Sequence, residues 1–205
     1  MALGSILISE RDATVYLSKK DPPSADLIFV LAGREHRKHH GLELFHQGLA
    51  PRILFSVARF EIRSFSKLSL PVPLDLLTLA FDVPPPERHF FVFFESQRVQ
   101  VERICPRRFG TLTEIKSLAR WLEAHPEIHS LLIISSDSHL RRIRMCCRSL
   151  LGARLKIALI AAPEISSGKR MPESTITAIV EMLKAILYRV ILTLRRDRPR
   201  ANDGR

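Results

Sequence analysis

Residues 26–56 read DLIFVLAGREHRKHHGLELFHQGLAPRILFS, and this stretch decides the fold. The run 26–31 is apolar almost without a break, has strand length, and lies between the turn-like 21–24 (DPPS) and Ala32-Gly33. Apolar runs bounded by such breakers are strands buried on both faces, as in a parallel sheet covered by helices. From Glu35 to Gln47, Gly41, Leu42 and Phe45 fall on one helical face with charged residues opposite. Gly48 stands where a helix-ending glycine is expected. Arg52–Ser56 (RILFS) supplies a second strand, so the stretch is a βαβ unit.

The C-terminal half repeats the pattern. Residues 111–124 carry Ile115, Leu118, Ala119 and Leu122 at helical spacing, and 130–135 (SLLIIS) is a buried strand. Residues 138–151 form a basic amphipathic helix, with Asp137 or Ser138 as its N-cap and Gly152 closing it; 155–161 is a further strand. Two such units predict one three-layer, doubly wound, mostly parallel sheet of Rossmann-like α/β type, in a single domain. The middle is less regular. It offers a short helix within 74–81, strands at 89–94 and 98–104, and an edge strand at 14–17. The chain divides into an N-terminal segment 1–25, an α/β domain 26–194 and a basic tail 195–205.

Composition limits the function classes. The 205 residues are 46% hydrophobic and 26% charged, ordinary for a globular chain long enough to bury a core. No run reaches the roughly 18 apolar residues of a membrane-spanning helix. The start has no basic region before an apolar one, so no secretory signal or N-terminal anchor is expected. Cys105, Cys146 and Cys147 have no CxxC spacing, and buried thiols in a reducing cytoplasm are expected. The net charge of +11 gathers in 34–38, 141–144 and the tail, without the aromatic interleaving of a nucleic-acid stripe. The helix expected at 173–194 is read as docking on the sheet, or as lying on an anionic membrane with the arginine tail.

Ligands of doubly wound sheets bind outside the carboxyl ends of the strands, where helix N-termini favour anions. Two loops occupy that position. In 31–37 (LAGREHR), Gly33 permits a tight turn and Arg37 presents a planar cation suited to phosphate or carboxylate. In 134–142 (ISSDSHLRR), Ser135, Ser136 and Ser138 offer hydroxyls, His139 sits in the first helical turn, and Arg142 follows on the same face. His36 and His40 have i, i+4 spacing but read as a solvated face, and no metal is expected. Walker, Gly-x-Ser-x-Gly and zinc-protease signatures are missing.

Residues 26–33, Arg37, 41–45 (GLELF) and 48–56 (GLAPRILFS) together resemble the opening of the YdcF/SanA/ElyC-like family. That opening is an apolar strand, a glycine turn, an arginine, a helix, Gly-x-Ala-Pro and a strand ending in serine. Residues 110–114 (GTLTE) are similar to its second block, and 135–142 (SSDSHLRR) to its Thr/Ser-x-x-His-x-x-Arg block. Glu181, Lys184 and Tyr188 resemble its closing helix. The chain departs from the pattern at Ala32-Gly33, Val57-Ala58 and Glu114, where glycines and an asparagine are usual.

The resemblance implies a Rossmann-like domain. It also implies either a tie to envelope or cell-wall biology or a nucleotide-like ligand such as S-adenosylmethionine. It supplies no reaction. The expected function is binding of a small phosphate- or carboxylate-bearing ligand by Gly33, Arg34, Arg37, Ser56, Thr111, Ser135, Ser136 and Arg142. His139 would serve as general acid or base, with Glu114 as its carboxylate partner. The alternative expectation is a peripheral protein at the inner face of the membrane, attached by the C-terminal helix and tail.

Overall fold

A computed structural model of the chain describes residues 14–18, 22–104, 110–152 and 154–163. Seven strands form one sheet: β1 (Thr14–Ser18), β2 (Leu27–Val30), β3 (Arg52–Ala58), β4 (His89–Glu95), β5 (Arg98–Arg103), β6 (Ser130–Ser135) and β7 (Lys156–Ala161). Their order is β1-β7-β6-β2-β3-β4-β5. The pairings from β1 across to β3 are all parallel, and the β3–β4 and β4–β5 pairings are antiparallel. This is the Rossmann-like α/β sheet that 26–56 predicts, extended by an antiparallel hairpin. The edge strand expected at 14–17 is present and pairs with β7.

Helix α1 (Glu35–His46) connects β2 to β3, and helix α5 (Asp137–Leu150) connects β6 to β7. The two connections run in opposite directions along the sheet. Right-handed crossovers therefore place their helices on opposite faces. One face packs Val30, Ile53, Phe55, Val92 and Ile134 against Leu42 and Leu44 of α1, with Phe65 and Leu76 beside them. The latter two belong to single-turn helices α2 (Ile62–Phe65) and α3 (Leu76–Leu79). On the other face Phe29 meets Phe91 edge-on, and Phe93 packs on Trp121 of α4 (Gly110–Glu123). Burial on both faces explains the unbroken apolar strands, since every β2 and β4 residue but Glu95 is buried.

Two expected caps shift. The N-cap of α5 is Ser136, not Asp137 or Ser138, because Ser136 is the last residue with extended backbone and the helix begins at Asp137. Its C-cap is Leu151 in extended conformation, and Gly152 lacks the positive φ a terminating glycine would use. Gly48 does adopt positive φ, at 77°. Cys146 and Cys147 are free and buried; burial raises the Cys146 thiol to about 12, against the opposing pull of Arg142, and also raises Cys147. Cys105, the helix expected at 173–194 and the tail lie outside the described residues.

Gly41 sets how closely α1 approaches the sheet. A Cβ there would stand 2.5 Å from Val30 Cγ2, on a side chain that is fully buried. Alanine normally stabilises a helix interior over glycine by about 1 kcal/mol. Here Gly41→Ala is expected to destabilise by about 1–3 kcal/mol through overpacking. Urea denaturation checks this; an unchanged or raised midpoint contradicts the packing described.

Candidate functional site at the strand ends

The sheet order reverses between β2 and β6, since the chain leaves β2 toward β3 and leaves β6 toward β7. The crevice outside their carboxyl ends is where such sheets bind ligands. Both expected loops open onto it: Leu31 N donates to Ile134 O at 3.2 Å, tying the two strand ends together.

Two carboxylates of the protein itself hold the β2 turn. Ala32 N donates to Glu114 Oε1 and Gly33 N to Glu61 Oε1, each at 2.8 Å. Glu114 comes from α4, and Glu61 from a 3-10 turn, Arg59–Glu61, that follows β3. Glu61 Oε2 also accepts from Ala58 N at 2.9 Å, and Lys38 Nζ of α1 donates to Glu61 Oε1. Both members of this ion pair are almost fully buried. Burial pushes the Lys38 ammonium below its ordinary range, and the Glu61 carboxylate pulls it back. Gly33 has φ of 138°, and a Cβ there would lie 2.5 Å from Arg37 Nη1. What approaches the Gly33 backbone closely is therefore the Arg37 guanidinium, whose Nη1 donates to Ala32 O at 2.6 Å.

On the α4 side a buried polar chain continues from Glu114. Ser56 lies on the same sheet face as His89, diagonally across the β3–β4 pair, and its Oγ is 2.7 Å from His89 Nε2. Ser56 also hydrogen-bonds Glu114. Burial raises the Glu114 carboxyl, with the bonds from Ser56 and Ala32 opposing. Burial, helped by the Lys38 charge, lowers His89 to about 4. Both groups are thus driven toward neutrality. The single Ser56 hydroxyl proton lies between two acceptors, the Glu114 carboxylate and His89 Nε2, and can be donated to only one of them at a time.

Across the crevice, Arg37 Nε donates to Ser136 Oγ at 3.0 Å. Burial lowers the Arg37 guanidinium against the charges of Glu114 and Glu61, while Arg34 and Arg142 are close enough to add repulsion. Arg142 Nη2 donates to His139 Nδ1 at 2.6 Å, so that nitrogen is the acceptor. Ser135 at the end of β6 is fully buried, and its Oγ has no hydrogen-bond partner among the described residues. Neither Arg34, the N-cap of α1, nor Ser136, the N-cap of α5, makes a side-chain cap bond.

The expected residues divide by location. Gly33, Arg37, Ser135, Ser136, His139 and Arg142 stand at the β2 and β6 ends, with Arg34 exposed at the rim. Ser56 and Glu114 are there too but enclosed, their polar atoms turned to His89, to each other and to Ala32 N. Thr111 is buried one turn before Glu114 on α4. Lys38, Glu61 and His89 were not among the expected residues. Lys38 had a legible signal, since it precedes Gly41 and Leu42 by three and four residues and so shares their buried face. Glu61 follows Ala58 by three, the spacing of a reach-back carboxylate at a helix start. His89 had none, being the first letter of an apolar strand.

Removing the ammonium beneath the turn strands a buried carboxylate. Lys38→Met is expected to cost about 3–5 kcal/mol, and Lys38→Met/Glu61→Gln less than the sum of the single changes. Additive losses in denaturant unfolding would contradict the pair. His89 supplies a pH test. Its folded value of about 4 lies below the ordinary 6.5. The unfolded chain therefore binds the proton first, and stability falls as pH drops from about 6.5 toward 4, by up to roughly 3 kcal/mol. Glu114, raised by burial, acts oppositely, its contribution fading as pH rises. The difference between wild type and His89→Gln isolates the histidine: the variant should lose less stability over that window, and parallel curves would contradict its burial as a neutral ring.

No family model, no curated protein and no solved structure matches this chain, so the family resemblance rests on the sequence blocks that carry it.

Proposed function

We propose that the chain binds a small anionic, phosphate- or carboxylate-bearing ligand of nucleotide-like size in the crevice between the ends of β2 and β6. The observation that carries this is an unused buried hydroxyl at a place where two uncapped helix starts converge. Arg37 and Lys38 are buried at the β2 end beside Glu61 and Glu114, and burial drives the Glu114 carboxyl toward its neutral form. Ser135 Oγ lies at the same strand ends without a hydrogen-bond partner among the described residues, and α1 and α5 start there without side-chain caps. An anion against two helix starts gains from their N–H groups and dipoles.

The division of labour differs between the two loops. The β2 turn already spends its first two N–H groups on Glu114 and Glu61. Ligand recognition therefore falls mainly to the β6–α5 loop: Ser135 Oγ, the first N–H groups of α5, and Arg142 with His139. Arg37 spans both loops through Ala32 O and Ser136 Oγ, aligning one with the other. His139, whose Nδ1 accepts from Arg142, would be the group that exchanges a proton with a bound ligand. Membership of the YdcF/SanA/ElyC-like family, with its link to S-adenosylmethionine-like ligands or to the cell envelope, belongs to this proposal and not to the comparisons.

Thermal unfolding with plain phosphate, pyrophosphate, nucleotides, sugar phosphates and S-adenosylmethionine tests it. A ligand at about a hundred times its dissociation constant adds roughly 2.7 kcal/mol, several degrees for a domain of this size. Arg142→Gln and Ser135→Ala should retain the fold and lose most of that shift. No shift for any anion, or an undiminished shift in both variants, would overturn the reading.

A further inference from the structure

Phe60, Leu77, Leu79 and Phe81 are large apolar side chains left 73, 46, 51 and 80% exposed. They come from two segments that meet, the Arg59–Glu61 turn after β3 and α3 with the residues following it. A surface groove of about 290 Å³ joins them, with Phe60, Leu77 and Ala80 in its walls and Arg59, Arg63 and Arg88 as its charged groups. The segment is firmly seated. Leu76 and Ala80 are buried in the core on the α1 face, and Asp75 caps α3 by accepting from Leu77 N and Thr78 N. Arg88 Nε donates to Val83 O at 2.7 Å, bracing the turn beyond Phe81. The exposed side chains are thus held outward by a fixed support.

We propose that this surface docks on an anionic lipid bilayer, with Phe60 and Phe81 entering the interface and Arg59, Arg63 and Arg88 lying over the headgroups. Contiguous exposed apolar groups on a soluble domain mark an interaction surface. Protruding rings ringed by arginine suit the boundary between headgroup and acyl chain. Charge selects the occupant. Every ionised group lining the groove is cationic, and Arg59 and Arg63 make no ion pair or hydrogen bond with the described residues. Of the neighbouring carboxylates, Asp75 is engaged as the α3 cap and Glu87 with Arg103; Asp82 remains exposed beside Phe81. A second copy carrying +11, or this chain's own arginine-rich 195–205, would bring like charge to the groove. A negatively charged membrane surface attracts basic residues at about 1 kcal/mol each. The surface stands whichever ligand the strand ends take. Because Glu61 closes the same turn that carries Phe60, docking would bring the strand-end face to the bilayer.

Sedimentation of the full chain with sucrose-loaded vesicles tests the proposal. Vesicles of phosphatidylcholine containing phosphatidylglycerol should carry the protein down, and phosphatidylcholine alone should not. Phe60→Ser/Phe81→Ser and Arg59→Gln/Arg63→Gln should each weaken binding about tenfold or more. All four positions are exposed, so thermal melts should match wild type. Phe60→Trp gives a second readout, a blue-shifted emission on adding anionic vesicles. The proposal is overturned if wild type does not sediment, or if the phenylalanine variant binds like wild type, which would assign attachment to another face. It is equally overturned if the phenylalanines drive self-association in light scattering without vesicle binding, which would assign the patch to a second copy.

Discussion

Two carboxylates, one reaching from each side of the sheet, hold the successive N–H groups of Ala32 and Gly33. That clamp sits at the end of β2, the strand from which the sheet grows in both directions. Glu114 brings α4 to it, and Glu61 brings the turn after β3. Lys38 anchors α1 beneath the second carboxylate, and Arg37 fills the space that a side chain at residue 33 would take. Helices on opposite faces, separated by an apolar sheet, are thereby joined through one polar centre. A polar group in such a place is tolerated only when its hydrogen bonds are made, so the centre is specified as closely as the core around it.

The clamp changes what the strand ends can offer. In a bare glycine turn the first N–H groups would be free for an incoming anion. Here the protein's own carboxylates take them, and an incoming anion meets a site already holding negative charge. Arg37, Lys38 and Arg142 are buried, while the Glu114 carboxyl is driven toward neutrality and shares Ser56 with a neutral His89. The unused hydrogen-bonding capacity lies toward the β6–α5 loop, where Ser135 Oγ has no partner among the described residues. On the proposed function, β2 supplies the structural half of the site and β6 the receptive half.

How much of this was legible follows from the period of each element. Strands buried on both faces announce themselves as unbroken apolar runs, so β2, β3, β4, β6 and β7 could be read directly, and the βαβ order then required the parallel arrangement. Which loops meet followed from that order, so Gly33, Arg37, Ser135, Ser136 and Arg142 were placed together from sequence alone. Partners within the site were not legible. Glu61 lies 28 residues from Gly33, and Glu114 lies 82 from Ala32. A contact over such separations depends on where a 3-10 turn and a helix come to rest, and no local pattern records that. Lys38 adjoins Arg37 and the histidines in one basic run. Its helical position beside Gly41 and Leu42 outweighs that adjacency. The caps of α5 shifted because a serine on either side of Asp137 fits an N-cap equally well by type, and backbone geometry alone distinguishes them.

The most direct measurement is hydrogen exchange of the Ala32 and Gly33 amides, followed by NMR in wild type, Glu61→Gln and Glu114→Gln. Both amides lie just beyond the last residue of β2, where a turn open to solvent exchanges rapidly. The account predicts protection comparable to the central strand for both, with Glu61→Gln releasing Gly33 more than Ala32 and Glu114→Gln the reverse. Rapid exchange of both amides in wild type, or protection unaltered in both variants, would contradict the clamp on which the rest depends.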